Sequence, residues 1–357
     1  MIERVAAHSP HLTAADLAAV VGNAKQDLEA LREARIFITG GTGYIGRWLL
    51  ESLCYANDEM SLGVEMVVLS RDPDQFSKTF PQLAYNPAIS FVKGDIRSFE
   101  VAEQHFTHVI HAATDIVASA TPLDTFEVTV LGTRRVLEWA RKNKVADILL
   151  LSSGAVYGQY PNALARIPES FLGAFDVTAN DAAYGLGKTV TEWLGNVYTK
   201  EYGIQCKSAR VFAQVGPYLE LGAQFAVGNF VRDVLANQNI VIKGDGTALR
   251  TYMYGTDLVI WLLAILVRGA SGRTYNVGSE QVVSIYELAK LVAQANNVSL
   301  DNIQVLGQPA PGAAPNRYIP DTTRARTELG LTISIPLKEA LSRTMAWYRP
   351  QFSRDKL

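Results

Sequence analysis

From residue 35 onward, hydrophobic and polar positions fall into two alternating rhythms. Arg35-Ile-Phe-Ile-Thr39, Glu65-Met-Val-Val-Leu-Ser70, Ile89-Ser-Phe-Val92, Thr107-His-Val-Ile-His111, Asp147-Ile-Leu-Leu-Leu-Ser152 and Gln205 to Val211 are short runs rich in β-branched and aliphatic residues. Runs of that kind are buried on both faces, as in parallel sheets covered by helices. Between them the pattern turns helical: from Gly43 to about Ala56, from about Thr121 to Asn143, and through the segment carrying Tyr184. Strand and helix in turn predict an α/β fold with a doubly wound parallel sheet.

Residues 1–34 precede this alternation. Ser9-Pro10 and Thr13-Ala-Ala-Asp16 read as helix starts, and Ala24 to Arg35 carries mixed charge with spaced leucines. A helical extension packed on the outside is expected, with oligomer contacts as the alternative role. Beyond Gly216-Pro217 the pattern loosens into a Gly/Phe-rich stretch from Gly222 to Phe230, a turn at Gly244-Asp245-Gly246 and a Pro/Gly/Ala-rich connection from Gln308 to Pro315. Such loops on a rigid sheet commonly carry ligand specificity. The expected organisation is an extension over 1–34, a dinucleotide-binding domain over 35–215 plus about 249–279, and a smaller interleaved substrate lobe over 216–248 and 280–357.

Composition narrows the partners. A formal net charge of −2 over 357 residues provides no field to draw nucleic acid or an anionic membrane, so small molecules are expected. The longest uncharged apolar run, Leu258 to Val267, is too short for a bilayer, and Met1-Ile2-Glu3-Arg4 leads into no continuous apolar segment. A cytoplasmic protein is expected. Cys54 and Cys206 lack the spacing of a disulfide framework or metal site and read as reduced core residues, with no metal implied.

The candidate chemistry begins at Gly40-Gly41-Thr42-Gly43-Tyr44-Ile45-Gly46, between the first strand and its helix. Glycines there let backbone approach a pyrophosphate held at the positive end of a helix dipole. The second strand ends in Ser70-Arg71-Asp72, where many NAD-binding sheets carry an acidic residue for the adenosine ribose. A guanidinium attracts a 2′-phosphate and a carboxylate repels it. Arg71 therefore favours NADP, with NAD the alternative should Arg71 only stack on adenine or Asp72 turn inward. Asp95, in Gly94-Asp95-Ile96, is a candidate acceptor for the adenine amino group, or a turn residue. His111 reads as a hydrogen-bonded strand-end residue, followed by Ala112-Ala113-Thr114, small enough for a dinucleotide to pass. Tyr184 and Lys188, at i and i+4, share a helix face. An ammonium beside a phenol favours its ionised form, and Ser153 can hydrogen-bond a substrate oxygen as charge shifts.

In this order the motifs resemble the extended short-chain dehydrogenase/reductase family, in its NAD(P)-dependent epimerase/dehydratase branch acting on nucleotide-sugars. The likeness runs from Ile36 to Tyr348 through Thr39 to Gly46, Gly94-Asp95-Ile96, His111-Ala-Ala113, Ser152 to Gly158, Tyr184-x-x-x-Lys188, Arg210-x-Phe-x-x-x-Gly-Pro217, Gly244-Asp-Gly-x-x-x-Arg250 and Tyr275-Asn-Val-Gly278. It implies a Rossmann-type sheet, Tyr184 as acid/base, Lys188 on the nicotinamide ribose and Ser153 orienting the reacting oxygen. Cofactor contacts are expected from Gly40, Gly43, Tyr44, Ile45, Gly46, Ser70, Arg71, Asp95, Ile96, Ala112, Ala113, Thr114, Tyr184 and Lys188. Substrate contacts are expected from Ala155, Asn229, Arg250 and Arg317, the arginines reaching a diphosphate, with surface ion pairing as their alternative role. The resemblance also implies a homodimer through the 121–143 and Tyr184 helices.

Departures from the family pattern bear on the reaction. The 4,6-dehydratases typically carry Asp-Glu where this chain has Gly154-Ala155, and the nucleotide-glucuronate decarboxylases tend to hold glutamate at the Ala155 position. Where the family often has Arg-x-Phe-Asn, this chain has Ala213 followed by Gln214. The expectation is C4 redox chemistry, as an NDP-hexose 4-epimerase or NDP-4-keto-hexose reductase. The alternatives are a 4,6-dehydratase or decarboxylase-like member, or a non-catalytic NAD(P)-binding sensor or scaffold.

Overall fold

The computed structural model of the chain describes residues 11–101, 105–114, 121–161, 163–222, 225–309, 312 and 314–354, and the Ser9-Pro10 helix start lies outside them. Thr13 caps α1 (Ala14–Asn23) by accepting from the Asp16 amide. After α2 (Lys25–Ala30) the chain turns into β1 (Arg35–Thr39). The helix α3 (Tyr44–Met60) runs a turn beyond the expected end at Ala56. Nothing in Asn57-Asp58-Glu59-Met60 breaks it before Ser61, whose φ of 50° closes it. There follow β2 (Glu65–Ser70), α4 (Pro73–Thr79), α5 (Pro81–Ala84), β3 (Ile89–Lys93), β4 (His108–His111), α6 (Pro122–Lys142), β5 (Asp147–Ser153), α7 (Ala182–Tyr202) and β6 (Gln205–Val211). Each of these strands lies within a residue of its apolar run. A reciprocal capping box between Thr121 and Asp124 starts α6.

Further along come β7 (Gln214–Val215), α8 (Ala226–Leu235), β8 (Ile240–Ile242), β9 (Leu249–Arg250), β10 (Met253–Tyr254), α9 (Gly255–Arg268) and β11 (Thr274–Val277). The last elements are β12 (Val283–Ser284), α10 (Ile285–Gln294), β13 (Ile303–Val305), β14 (Arg317–Tyr318), α11 (Thr323–Leu329) and α12 (Leu337–Arg354). The Gly/Phe-rich stretch thus ends inside a helix. Ala226 to Phe230 open α8, which buries Val227, Phe230, Val231 and Val234 along one face.

The main sheet has seven strands in the order β11-β6-β5-β4-β1-β2-β3. β1 pairs in parallel with β2 and with β4, as β2 does with β3 and β4 with β5. The chain separates into two compact units. One runs to Val156 and takes up Phe175–Arg210 and Val259–Tyr275; the other comprises Tyr157–Ala174, Val211–Leu258 and the chain from Asn276. Tyr157–Ala174 therefore belongs with the second unit, whereas the sequence pattern groups it with the sheet.

Within the first unit, Phe37, Phe99, Phe106 and Trp139 form an aromatic centre beside the sheet, Phe37 lying 4.5 Å from Trp139 and 5.9 Å from Phe106 between ring centroids. The N-terminal helices belong to this unit. Arg268 of α9 binds Asp27 of α2 through Nε at 2.6 Å and Nη2 at 3.1 Å, and the Leu12 amide donates to the buried Glu51 at 2.7 Å. In the second unit Asn276 is fully buried and fully used. It accepts from the Tyr157 hydroxyl at 2.7 Å, donates to the carbonyls of Ile167 and Asp321, and its amide donates to Glu169. Cys54 and Cys206 are free and buried, and burial pushes both thiols up, to about 12 and about 11. Among the described residues no helix is long and apolar enough to cross a membrane, and no group of three His, Cys, Asp or Glu could hold a metal.

Candidate active site

The chain reverses its direction of travel across the sheet at β1, which has β2 on one side and β4 on the other. Ligands of doubly wound sheets bind beyond the carboxyl ends of the strands at such a point. Here Gly40 follows β1 with φ +73°, and a Cβ on it would stand 2.6 Å from the Ala112 carbonyl carbon and the Ala113 amide. Gly46 meets backbone even more closely, at 2.4 Å from Gly40 and Gly41, so α3 can lie against the loop only without a side chain there. Gly43 is the N-cap of α3 and makes no side-chain cap bond, and the first turn of a helix favours an anion.

A cleft of about 210 Å³ opens at this junction. Of the expected cofactor residues, Gly40, Gly43, Ser70, Arg71, Asp95, Ile96, Ala112, Ala113 and Thr114 line it. Tyr44, Ile45 and Gly46 sit instead in the first turn of α3, and Tyr184 and Lys188 on α7. Thr42, Leu69, Gly94 and Val128 also line the cleft without having been singled out. Thr42 and Gly94 lie inside the motifs and were legible there; Val128 comes from α6, whose approach no local pattern encodes.

Three polar residues around the cleft have settled roles. Asp72 caps α4, its carboxylate accepting from the Gln75 amide at 3.0 Å, so Arg71 is left as the charged residue of the Ser70-Arg71-Asp72 turn that lines the cleft. Asp95 is clasped by Arg97 through Nε at 2.8 Å and Nη2 at 2.9 Å, which holds its carboxyl below the usual carboxylate range. His111 is fully enclosed, with Thr39 Oγ1 at 2.7 Å from Nδ1 and Thr133 Oγ1 at 3.0 Å from Nε2. Thr133 donates its own proton to the Thr129 carbonyl, so it accepts from Nε2–H and the tautomer follows. Burial, and after it the charge of Lys188, pushes His111 down to about 3, which keeps the imidazole neutral.

Ser153 ends β5, and its Oγ accepts from the Ala155 amide at 3.1 Å. The facing helix α7 brings Tyr184 to the Ser153 hydroxyl, and Lys188 Nζ lies 5.9 Å from the Tyr184 ring centre. Close approach is built into the sequence: a Cβ at Gly185 would fall 2.7 Å from the Ala155 carbonyl oxygen, and one at Gly187 would press on Thr129 of α6 at 3.1 Å. Tyr184 is pushed up from the ordinary phenol value by burial, with the Ser153 hydroxyl acting in the opposite sense. Lys188 is pushed down to about 8 by burial, with Glu192 opposing. Without ligand, the phenol keeps its proton, since burial outweighs the Ser153 hydroxyl.

Arg250 and Arg317 come together in the second unit. They occupy neighbouring strands β9 and β14, and both charges bear on the Tyr160 hydroxyl. Asn229 lies on α8 and accepts from Arg232 at 3.0 Å. Gln214 donates to the Phe212 carbonyl at 3.1 Å, and its buried Oε1 has no hydrogen-bond partner. The glycine cradle, the uncapped start of α3 and the cationic rim at Arg71 fit a dinucleotide, which Ser70, Arg71 and Asp95 would hold at its adenosine end and Tyr184 and Lys188 at its nicotinamide end.

The sequence profile of the NAD dependent epimerase/dehydratase family matches residues 36–278. UDP-glucuronic acid decarboxylase 5 of Arabidopsis thaliana is 28% identical over 308 residues, covering 86% of this chain and 87% of the relative. The dTDP-glucose 4,6-dehydratase of Bacillus anthracis, solved with NAD, superposes with a TM-score of 0.75 at 19% identity over 90% of this chain and 98% of that one. The UDP-glucose 4-epimerase of Thermus thermophilus, also solved with NAD, gives 0.73 at 24% over 88% and 99%. The two solved structures establish the fold alone. The decarboxylase relative sides with the alternative set out from the sequence rather than with the C4 epimerase or ketoreductase preferred there.

Proposed function

The chain belongs to the NAD dependent epimerase/dehydratase family, as an enzyme of the extended short-chain dehydrogenase/reductase type, and on that premise we propose that it acts on a nucleotide-diphosphate hexuronate, oxidising C4 and releasing the C5 carboxylate as carbon dioxide. What carries the reading is the set of Ser153, Tyr184 and Lys188 between β5 and α7, with no acid or base at Gly154-Ala155. Bound in the cleft, the nicotinamide supplies a hydride acceptor and, afterwards, a donor. Once ionised in the loaded site, Tyr184 takes the proton of the C4 hydroxyl as the C4–H bond is oxidised. Ser153 holds the same oxygen, and Lys188 supports the phenolate.

The 4-keto-hexuronate so formed is a β-keto acid. Its C5–carboxylate bond breaks with the electron pair flowing into the C4 carbonyl, whose oxygen Ser153 and Tyr184 already hold; C5 then takes a proton from solvent water, and Tyr184 returns its own proton to the C4 oxygen as C4 is reduced. This step needs no side chain at 154 or 155. Loss of water across C5 and C6 does, which sets the dehydratase reading aside. Arg250 and Arg317 are assigned to the diphosphate. With Asp72 spent on a helix cap and Arg71 on the cleft, NADP is the proposed cofactor preference over NAD.

Ala155, in place of the glutamate common in decarboxylases, favours a second reading: C4 epimerisation or one-way reduction of a 4-keto sugar by the same residues. Incubation with UDP-glucuronate, UDP-glucose, dTDP-glucose and 4-keto sugars, each with NAD or NADP, separates them. Carbon dioxide and a UDP-pentose without net cofactor use are expected. Interconverted C4 epimers, or NADPH lost mole for mole on a keto sugar, would establish the second reading. A 4-keto-6-deoxy product would overturn both, and cofactor binding without any turnover would leave a non-catalytic dinucleotide-binding protein.

A further inference from the structure

Tyr184, Lys188 and Glu192 lie at i, i+4 and i+8 on α7 and so form one stripe along the helix. Each reaches a different one of three consecutive residues at the end of β5. Tyr184 meets the Ser153 hydroxyl, Lys188 Nζ donates to the Leu151 carbonyl at 2.7 Å, and Ser152 Oγ donates to Glu192 Oε1. The Glu192 carboxylate also takes two bonds from Arg210 of β6, Nε to Oε1 at 2.9 Å and Nη2 to Oε2 at 2.7 Å. The side chains of this pair are only 9% and 13% exposed. A buried ion pair contributes little net stability once desolvation is counted, so its presence asks for another role.

Lys188 supplies that role. Its ammonium is buried, and burial alone drives a lysine to lose its proton. The charged and titratable groups around it are Tyr184 and Glu192 on its own helix, Arg210 on β6 beyond Glu192, and the neutral His111 on β4. Lys188 also donates to the uncharged Leu151 carbonyl.

We propose that Glu192 is a positioning residue that keeps Lys188 in its ammonium form and fixes the Ser152–Ser153 end of β5 against Tyr184, while Arg210 sets how much of the carboxylate's charge reaches Lys188. The inference rests on the roles proposed above for Ser153, Tyr184 and Lys188. It places part of the support for phenol ionisation in a residue set back from Tyr184 by two helical turns.

The test is the titration of Lys188 in the full chain, followed by 13Cε-lysine NMR and assigned with Lys188→Met. Glu192→Gln is expected to move the midpoint down by at least about one pH unit, and Arg210→Gln to move it up, since removal of the cation leaves the carboxylate unanswered. A purely structural role produces no such opposite displacements. Glu192→Asp, which retains the charge, is expected to titrate within a few tenths of wild type. With the nucleotide-sugar that the panel identifies, Glu192→Gln should lower kcat at alkaline pH more than tenfold with KM changed less than about threefold. Shifts of the same sign, or none, overturn the inference. If Glu192→Gln does not fold, Arg210→Gln decides alone: an upward displacement supports the inference and any other result overturns it. Displacements as expected in a protein that turns over no nucleotide-sugar would sink the proposed function and leave this electrostatic arrangement standing.

Discussion

At the scale of single residues, the chemistry depends on how burial treats a phenol and an ammonium. Both Tyr184 and Lys188 are shifted toward their neutral forms. Tyr184 therefore begins as a protonated group, with Ser153 as the hydroxyl that eases its ionisation. Tyr184→Phe removes the proton path and little else, so kcat is expected to fall at least about 100-fold, while the cofactor dissociation constant, read by fluorescence titration, changes by less than about threefold. Equal losses in both would refute the assigned role. Tyr184, Lys188 and Ser153 were legible because their spacing and order are local signals. The partnership of Ser152, Glu192 and Arg210 was not: Ser152 and Arg210 stand in the motifs, but a hydroxyl, a carboxylate and a guanidinium on three separate elements declare no partnership until the sheet and helix meet.

At the scale of elements, the turn from β1 into α3 is the most sharply specified. Its geometry lies in backbone: Gly40 at positive φ against Ala112 and Ala113, and Gly46 against the loop itself. Gly40→Ala is expected to cost about 1–3 kcal/mol from the backbone conformation alone, with added loss from the clash. A thermal melt with and without cofactor should show a lower Tm and a smaller cofactor-induced rise; an unchanged rise would separate the glycine from the cradle. The same locality explains where element prediction failed. The N-cap of α8 is Phe225, which has no side chain able to cap, so the sequence carries no start signal there, and the helix is held by the apolar face that it buries.

At the scale of the whole molecule, α6 and α7 pack along each other and leave large apolar residues in water: Leu123 is 74% exposed, Trp193 61%, Leu131 48% and Tyr202 48%. Exposure of this extent on two adjacent helices supports the homodimer that the family resemblance implied. Light scattering of wild type should give twice the 39.0 kDa chain mass, and Trp193→Glu should shift the population to single chains; a wild-type monomer would end the proposal. The sequence by itself determined the doubly wound sheet, the glycine cradle and the Tyr-Lys pair, since apolar periodicity, positive-φ glycines and i, i+4 spacing all act within a few residues. Tertiary structure alone decided which distant polar groups meet: Arg268 of α9 with Asp27 of α2, and Glu192 between Ser152 and Arg210. Hydrogen bonds and ion pairs reach only a few ångströms, so between residues far apart in the chain they exist only once packing has brought the elements together.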